Sequence, residues 1–354
     1  MRNSSKDIDF SGAMRIGLSL LALGISSIAV FGHASAETEE ISASLPAGIT
    51  VFNVPNAEST EPTGTNSAGV ITGTFRRGDS NKGFMRGRAG RFTIFEAPNA
   101  AYTNPTGINS ARKIVGFFYD TIVGRDRGFI RNPNGTFVVF DVLNATATRP
   151  ASINDFDEVT GSTEYLGRES GFVRARNGAI TVFDVPDSHA TTPAAIHSSG
   201  RVIGGFREAS GWKPLGFART RDGKITVFEA PNAGNTVPYG VNASGQVSGS
   251  FFDQALSRVR GFILNRSGSF TLFEVHGAME TYTFGIGPNG AVTGTFYLPN
   301  APTRGFLRTP DGVFKTFRVP GAVGTEGRMV TLAGEVVGLT IRPNGNVHGF
   351  IWKP

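Results

Sequence analysis

The chain has 354 residues, no cysteine, and a formal net charge of +6 from 34 Lys and Arg against 28 Asp and Glu. The missing cysteine excludes a disulfide framework, a thiolate metal site and a thiol nucleophile. The charge is mild and dispersed, so there is no basic tract of the kind that holds nucleic acid, and no nucleic-acid partner is expected.

Met14-Arg15 opens a positively charged segment, Ile16 to Phe31 is apolar, and Ala34-Ser35-Ala36 offers a small-x-small cleavage site before Glu37. This reads as a secretory signal peptide over residues 1–36, with Met14 fitting as a start. The apolar run of about 16 residues is short of the roughly 20 that cross a bilayer, so no membrane span is expected after cleavage. Cleavage removes Arg2, Lys6, Arg15, Asp7 and Asp9 and leaves a charge of +5. The expected location is secreted, periplasmic or extracellular, where such a charge gives weak attraction to anionic polysaccharide or envelope surfaces. Residues 37–47 read as a short polar tail.

From residue 48 to 354 the chain repeats. A Gly-Phe pair recurs at Phe84, Phe129, Phe172, Phe217, Phe262, Phe306 and Phe350, at spacings of 43 to 45 residues. A second phenylalanine recurs at Phe52, Phe95, Phe140, Phe183, Phe228, Phe273 and Phe317. An aromatic at one place in every unit is a core position.

Each unit holds four short runs with period-two alternation, rich in Val, Ile, Thr and Phe, which predicts strands. In chain order they are Pro-x-Gly-Ile-Asn (Pro62 to Asn66), Gly-x-Val-x-Gly-x-Phe (Gly69 to Phe75 is one variant), Gly-Phe-x-Arg (Gly83 to Arg86) and a run ending at Pro (Phe92 to Pro98). Asn134-Gly135, Asn177-Gly178, Asp222-Gly223 and Asp311-Gly312 mark tight hairpins between the third and fourth runs. Between the first and second runs a glycine supplies positive φ in most units. Arg112 and Asp157 stand in its place in two, and Arg112 predicts either a strained or a locally different turn.

Repeated four-stranded antiparallel units of this length make the blades of a β-propeller. The last unit stops after its third run, and the run at Gly48 to Pro55 is an unpaired fourth. The expectation is an all-β, seven-bladed propeller over residues 48–354, its ring closed three strands to one by the N-terminal strand. A ring closed within one chain predicts a monomer.

The run Gly-Ile-Asn-x-x-Gly-x-Val-x-Gly followed by x-Gly-Phe resembles the extracellular HAF-type repeat proteins, with His348-Gly349-Phe350 nearest to the His-Ala-Phe tripeptide. The resemblance implies a secreted propeller-like fold and carries no activity. Pro-x-Gly-Ile with a later Gly-x-Ile-Thr-x-Phe-x-x-Pro is also similar to the streptogramin lyase type of seven-bladed propeller. That family's Leu-Trp-Phe-Thr-Glu run is absent here, so no catalytic residue carries over.

The first run should line the central channel. The loops leading into it, with those between second and third runs, should form the variable face where propellers bind. Ligand-binding candidates at the channel mouth are Asn109, Asn154, Asn242, His189, His197, Tyr102, Tyr239, His276 and Tyr282. The regular asparagines are also the residues that cap turns. His189 and His197 could act as acid and base, or hold a metal with a third ligand from another blade. Asn154 to Glu158 has the start of a calcium loop but lacks its glycine and distant glutamate, and reads as a solvated turn. No metal, cofactor or catalytic residue is assigned. The sequence favours a non-enzymatic propeller that binds a protein or glycan partner or serves as an envelope scaffold. The alternative is a propeller lyase or hydrolase acting at the channel mouth.

Overall fold

A computed structural model describes residues 48–354 other than Ser210 and Trp212. The signal segment and tail read from residues 1–47 lie outside the described residues. Among the described residues there are 28 strands and no helix. Blade 1 pairs Ser59–Thr65, Ile71–Arg77, Ser80–Arg86 and Phe92–Phe95 antiparallel in chain order. Blades 2 to 6 repeat this from inner strands Ala100–Ile108, Ala147–Ile153, Ser188–Ile196, Ala233–Val241 and Glu280–Ile286. Blade 7 takes Gly324–Val330, Val336–Ile341 and Val347–Trp352 from the C-terminal end, and Ile49–Phe52 pairs antiparallel as its fourth strand. Single parallel bridges, Ala147 to Asp126 and Ala190 to Glu169, tie blade 2 to 3 and blade 3 to 4. The inner strands touch one another in order, and that of blade 1 meets that of blade 7.

The Gly-Phe anchor has a steric cause. Phe84 lies in register opposite Gly73 of the second strand, and Gly83 lies opposite Phe95 of the fourth. A Cβ on Gly73 would stand 2.8 Å from the Phe84 ring, and one on Gly83 would stand 2.3 Å from the Phe95 ring. Each blade therefore holds two rings laid over two glycines, which keeps the sheets close-packed. All seven anchor phenylalanines are fully buried. Each such burial stabilises by about 1.5–3 kcal/mol relative to exposure.

The arginine after the anchor clasps neighbouring blades. Arg86 lies 4.8 Å over Phe52, Arg131 4.8 Å over Phe95, Arg174 5.0 Å over Phe140, Arg219 4.8 Å over Phe183 and Arg308 5.0 Å over Phe273. In every case the ring belongs to the outer strand of the preceding blade. Burial pushes the pKa of these guanidiniums down. Trp352 takes the position in blade 7 and packs 4.3 Å from Phe317.

A third sevenfold feature is a threonine two residues before the proline position. Thr60, Thr103, Thr148, Thr191, Thr236, Thr281 and Thr325 are buried, and each hydroxyl accepts the backbone N–H six residues earlier. The amides of Val54, Ala97, Val142, Val185, Ala230, Val275 and Val319 are thereby satisfied where the chain crosses between blades.

The inner strands begin earlier than the sequence suggests. Those of blades 2, 4 and 5 start five residues before the proline, and a register shift follows it. The crossing itself is a tight turn with positive φ at Asn56, Asn99, Asn144, Asp187 and Asn232, and at Gly277 and Gly321. Tyr102 and His189 therefore stand on strands and not in the loops leading into the first run. Arg112 has φ 60 and Asp157 φ 63, within the same turn as the other blades, so Arg112 carries strain and the turn is not remodelled.

Candidate functional site

The candidates divide between the two ends of the ring. Asn109, Asn154 and Asn242, with Asn66, lie just past the ends of their inner strands, where these turn back into the second strands. Each side chain does two structural jobs. Its Oδ1 accepts the amide four residues on, at 2.9–3.0 Å in the four turns. Its Nδ2 donates to the next blade: Asn66 to Asn109 O (2.9 Å), Asn109 to Asn154 O (3.2 Å), Asn154 to His197 O (3.0 Å) and Asn242 to Gly287 O (3.3 Å). His197 makes a related pair of bonds with its ring, to the amide two residues on and to the next blade one residue past the equivalent position. Nδ1 accepts the Ser199 amide at 3.0 Å, and the remaining nitrogen, Nε2–H, donates to Ala243 O at 3.0 Å.

His189 is exposed near the start of the strand whose end precedes His197. At about 3.3 Å per residue, an eight-residue separation along a strand puts them roughly 25 Å apart. They cannot form one acid–base pair or one metal site, which corrects that expectation. Among the described residues no group of three or more His, Asp or Glu is placed to hold a metal. Asp155, Asp157 and Glu158 instead bind the protein: Asp155 accepts the Ser110 amide, Asp157 pairs with Lys113 at 2.7 Å, and Glu158 pairs with Arg221 at 2.9 Å. His276 is exposed in the turn leading into blade 6.

Around the channel, the residues flanking the proline position differ from blade to blade. Just before it stand Glu61, Asn104, Arg149, Thr192, Val237, Tyr282 and Glu326; just after it stand Thr63, Thr106, Ala151, Ala194, Tyr239, Phe284 and Arg328. On blades 2 and 3 Arg149 is held in a polar network, while Asn104 Oδ1 is buried without a hydrogen-bond partner among the described residues. The Tyr102 hydroxyl donates to Asp126, Arg149 Nε donates to Asp126 Oδ2 at 2.7 Å, and Arg149 lies 3.5 Å from Glu164.

Blades 5, 6, 7 and 1 carry a different wall. Tyr239 packs edge-on to Phe284 at 5.7 Å, and Arg328 lies 4.6 Å over the Phe284 ring. Arg328 pairs with Glu326 at 2.6 Å. Tyr282 packs edge-on to Tyr297 at 5.8 Å, and its hydroxyl donates to Glu280 Oε2 at 3.1 Å. Burial pushes Tyr239 up to about 12, and pushes Tyr282 and Tyr297 upward with help from Glu280, so all three stay protonated donors at neutral pH. Burial also raises Glu61. The charge of Arg328 opposes that shift and Glu326 adds to it, which places all three groups in one electrostatic neighbourhood. The wall thus presents aromatic rings, hydroxyl donors, an ion pair and a carboxyl that binds its proton more tightly than usual. No comparable aromatic group stands after the proline in blades 1 to 4, where Thr63, Thr106, Ala151 and Ala194 are small.

Structural comparison places this architecture among propellers. A streptogramin B lyase superimposes with a TM-score of 0.58 at 16% identity, over 86% of this chain and 97% of the other. A catalytically inactive histidine-to-alanine variant of virginiamycin B lyase from Staphylococcus aureus, with quinupristin, gives 0.58 at 14% identity, over 86% and 99%. The propeller domain of the Trilobed protease from Pyrococcus furiosus gives 0.62 at 10% identity, over 84% and 94%. The shared property is the fold. No family model and no curated protein matches the sequence.

Of the sequence candidates, Tyr239 and Tyr282 come together at the channel wall, and Asn109, Asn154 and His197 are linked in series at the other end. The asparagines and His197 lie at the opposite end of the inner strands, Tyr102 is in the blade 2–3 network, and His189 and His276 are apart from both. Phe284, Tyr297, Glu326 and Arg328 were not among the candidates. Aligning the seven units on the buried threonine would have placed Glu326 and Tyr282 in the same column as Glu61.

Proposed function

We propose that the protein is an exported, ligand-binding propeller whose ligand, a glycan segment, sits against the channel wall of blades 5, 6, 7 and 1. The observation that carries this is the asymmetry of the channel. One side gathers Tyr239, Phe284, Tyr282, Glu326, Arg328 and Glu61, and the other has small residues after the proline and the Arg149–Asp126 network. Aromatic faces beside fixed hydroxyls and carboxyls suit a ligand with both apolar C–H faces and hydroxyl edges. The leader-like sequence and the HAF-type repeat pattern support export, and closure within one chain supports a monomer. Titration of soluble oligosaccharides by calorimetry tests the reading. Tyr282→Ala should weaken the best ligand at least tenfold while His276→Ala leaves it unchanged; no saturable binding to any oligosaccharide class overturns it.

One observation favours a second reading, an acid–base enzyme. Glu61 has a raised pKa beside the Glu326–Arg328 ion pair, and carboxyls in unlike environments are how acid and base roles are divided. The lyases with this fold make the reading concrete. Glu61→Gln would then abolish turnover of a bound ligand without abolishing binding, whereas a pure binder shows no turnover in either form.

A further inference from the structure

At the end of the ring away from Tyr282, a groove of 610 Å³ opens between blades 4 and 5, lined among others by His197, Arg201, Arg221, Asp222 and Arg266. It brings three guanidiniums together with one carboxylate. That carboxylate, Asp222, is taken by the Thr220 hydroxyl. Arg221 is held by Ser199 O at 3.1 Å and by Glu158 at 2.9 Å. Arg201 donates to Gly245 O at 3.3 Å, and Arg266 has no hydrogen bond or ion pair among the described residues.

The repeat shows what is unusual about this place. Arg221, in the outer hairpin of blade 4, pairs with Glu158, which immediately precedes the second strand of blade 3. One blade on, Arg266 occupies the hairpin position of Arg221, and Arg201 occupies the position of Glu158. The Glu158 position holds an acid in only two of the seven units, Glu158 and Glu335. Between blades 2 and 3 it is Lys113, opposite the hairpin residue Arg176, and Asp157 pairs with both cations, at 2.7 and 3.7 Å. Between blades 4 and 5 Gly245 stands in the place of Asp157, and no carboxylate among the described residues bridges Arg201 and Arg266. The two cations repel: burial and the charge of Arg266 both push the pKa of Arg201 down. A concave recess in which guanidiniums outnumber carboxylates focuses positive potential and draws in anions.

We propose that this groove is an oxyanion site, in which a sulfate, phosphate or carboxylate group of a ligand bridges Arg201 and Arg266 as the Asp157 carboxylate bridges Lys113 and Arg176. Guanidiniums suit this because their planar N–H forks match two oxygens of such a group. The site is separate from the channel wall and does not rest on the glycan reading.

The test uses the full chain at fixed ionic strength, titrated with sodium sulfate and sodium phosphate by calorimetry and thermal melting. A uronic acid in parallel distinguishes carboxylate from sulfate or phosphate as the source of the oxygens. Saturable binding with a rise in melting temperature is expected for at least one anion. Arg201→Glu should rebuild the pair that Glu158 makes with Arg221, raise the melting temperature without anion, and weaken anion binding at least tenfold. Arg266→Gln should weaken it similarly, and Arg88→Gln, in the equivalent hairpin of blade 1, should not. Absence of saturable binding for all three anions, or affinity unchanged in Arg201→Glu, overturns the proposal.

Discussion

Gly349 lies in register opposite Phe52, and a Cβ on Gly349 would stand 2.4 Å from the Phe52 ring. This is the contact that Gly83 makes with Phe95 inside blade 1, reproduced between the two ends of the sequence. The N-terminal strand therefore enters blade 7 by the same packing rule that builds every other blade. It also covers a sheet edge that would otherwise be open to other chains.

Deleting Ile49 to Val54 should be severely destabilising. The segment buries Ile49, Phe52 and Val54 and satisfies the pairing of Val347–Trp352. A loss above about 5 kcal/mol, or failure to fold, is expected from removing several core side chains and a strand at once. Gly349→Ala should cost about 1–3 kcal/mol by overpacking alone. Urea denaturation of both variants checks this; an unchanged midpoint in the deletion would show that the ring does not close this way.

Thr236→Val should cost about 1–3 kcal/mol, since it leaves a buried amide without its acceptor while preserving volume. The Ala230 N–H donates to the Thr236 hydroxyl at 3.0 Å, and Thr236 is fully buried. Thr236→Ser keeps the acceptor and should lose less than Thr236→Val. Denaturation midpoints of the pair separate the hydrogen bond from the lost methyl group.

His197→Asn should leave stability within about 0.5 kcal/mol of wild type, because an asparagine here can replace the histidine's two bonds with the amide and cross-blade bonds that Asn154 and Asn242 make. His197→Ala removes both and should cost more than 1 kcal/mol by about the usual value of two hydrogen bonds. Equal losses in the two variants, read from denaturant midpoints, would show that the ring is not acting as the latch.

Arg112→Gly should raise stability. Arg112 holds φ 60 in a turn whose hydrogen bonds, Arg112 N to Asn109 O and Asn109 N to Lys113 O, match those of the glycine-bearing turns. A left-handed backbone costs a side-chain-bearing residue about 1–2 kcal/mol, offset in part by the extra chain entropy of glycine. A melting-temperature rise of a few degrees is the expected reading, and a fall would mean that the arginine side chain contributes more than its backbone costs.

The fold was legible because its packing rule needs the same residues in every blade. Gly73 against Phe84 and Gly83 against Phe95 leave a mark that recurs at a fixed interval, and the asparagines that cap and latch recur with it. The threonines were equally periodic, but a threonine inside a run of strand formers carries no distinctive local signal. The channel wall was harder to read for the opposite reason. Glu326, Arg328 and Phe284 matter because they differ from their counterparts, so periodicity hides them. The register shift after Pro62 and its equivalents also changes the phase of the inner strand, and a period-two reading then assigns the wrong side chains to the channel. The separation of His189 and His197 follows from strand length alone, once the strand is known to begin at Ser188.

Glu61 gives the channel wall a pH signature. Its carboxyl is raised above the ordinary 4.5 by burial, against the opposing charge of Arg328 and with the help of Glu326. The folded protein therefore holds this proton more tightly than the unfolded chain. The stability linked to it is complete below pH 4.5 and is lost as pH rises through the raised value. Glu61→Gln removes the titration, so its melting temperature relative to wild type should climb from pH 4.5 towards neutrality and level off at lower pH. Asp120 and Asp253 do not confuse the comparison. Hydrogen bonds from Arg127 and Arg260 lower them from 3.8, so their contribution is lost only at more acid pH, and it is common to both proteins. Melts from pH 4 to 8 in matched ionic strength give the difference curve. A flat curve would mean that Glu61 is solvated in the channel, and would remove the raised acid on which the enzyme reading depends while leaving the aromatic wall intact.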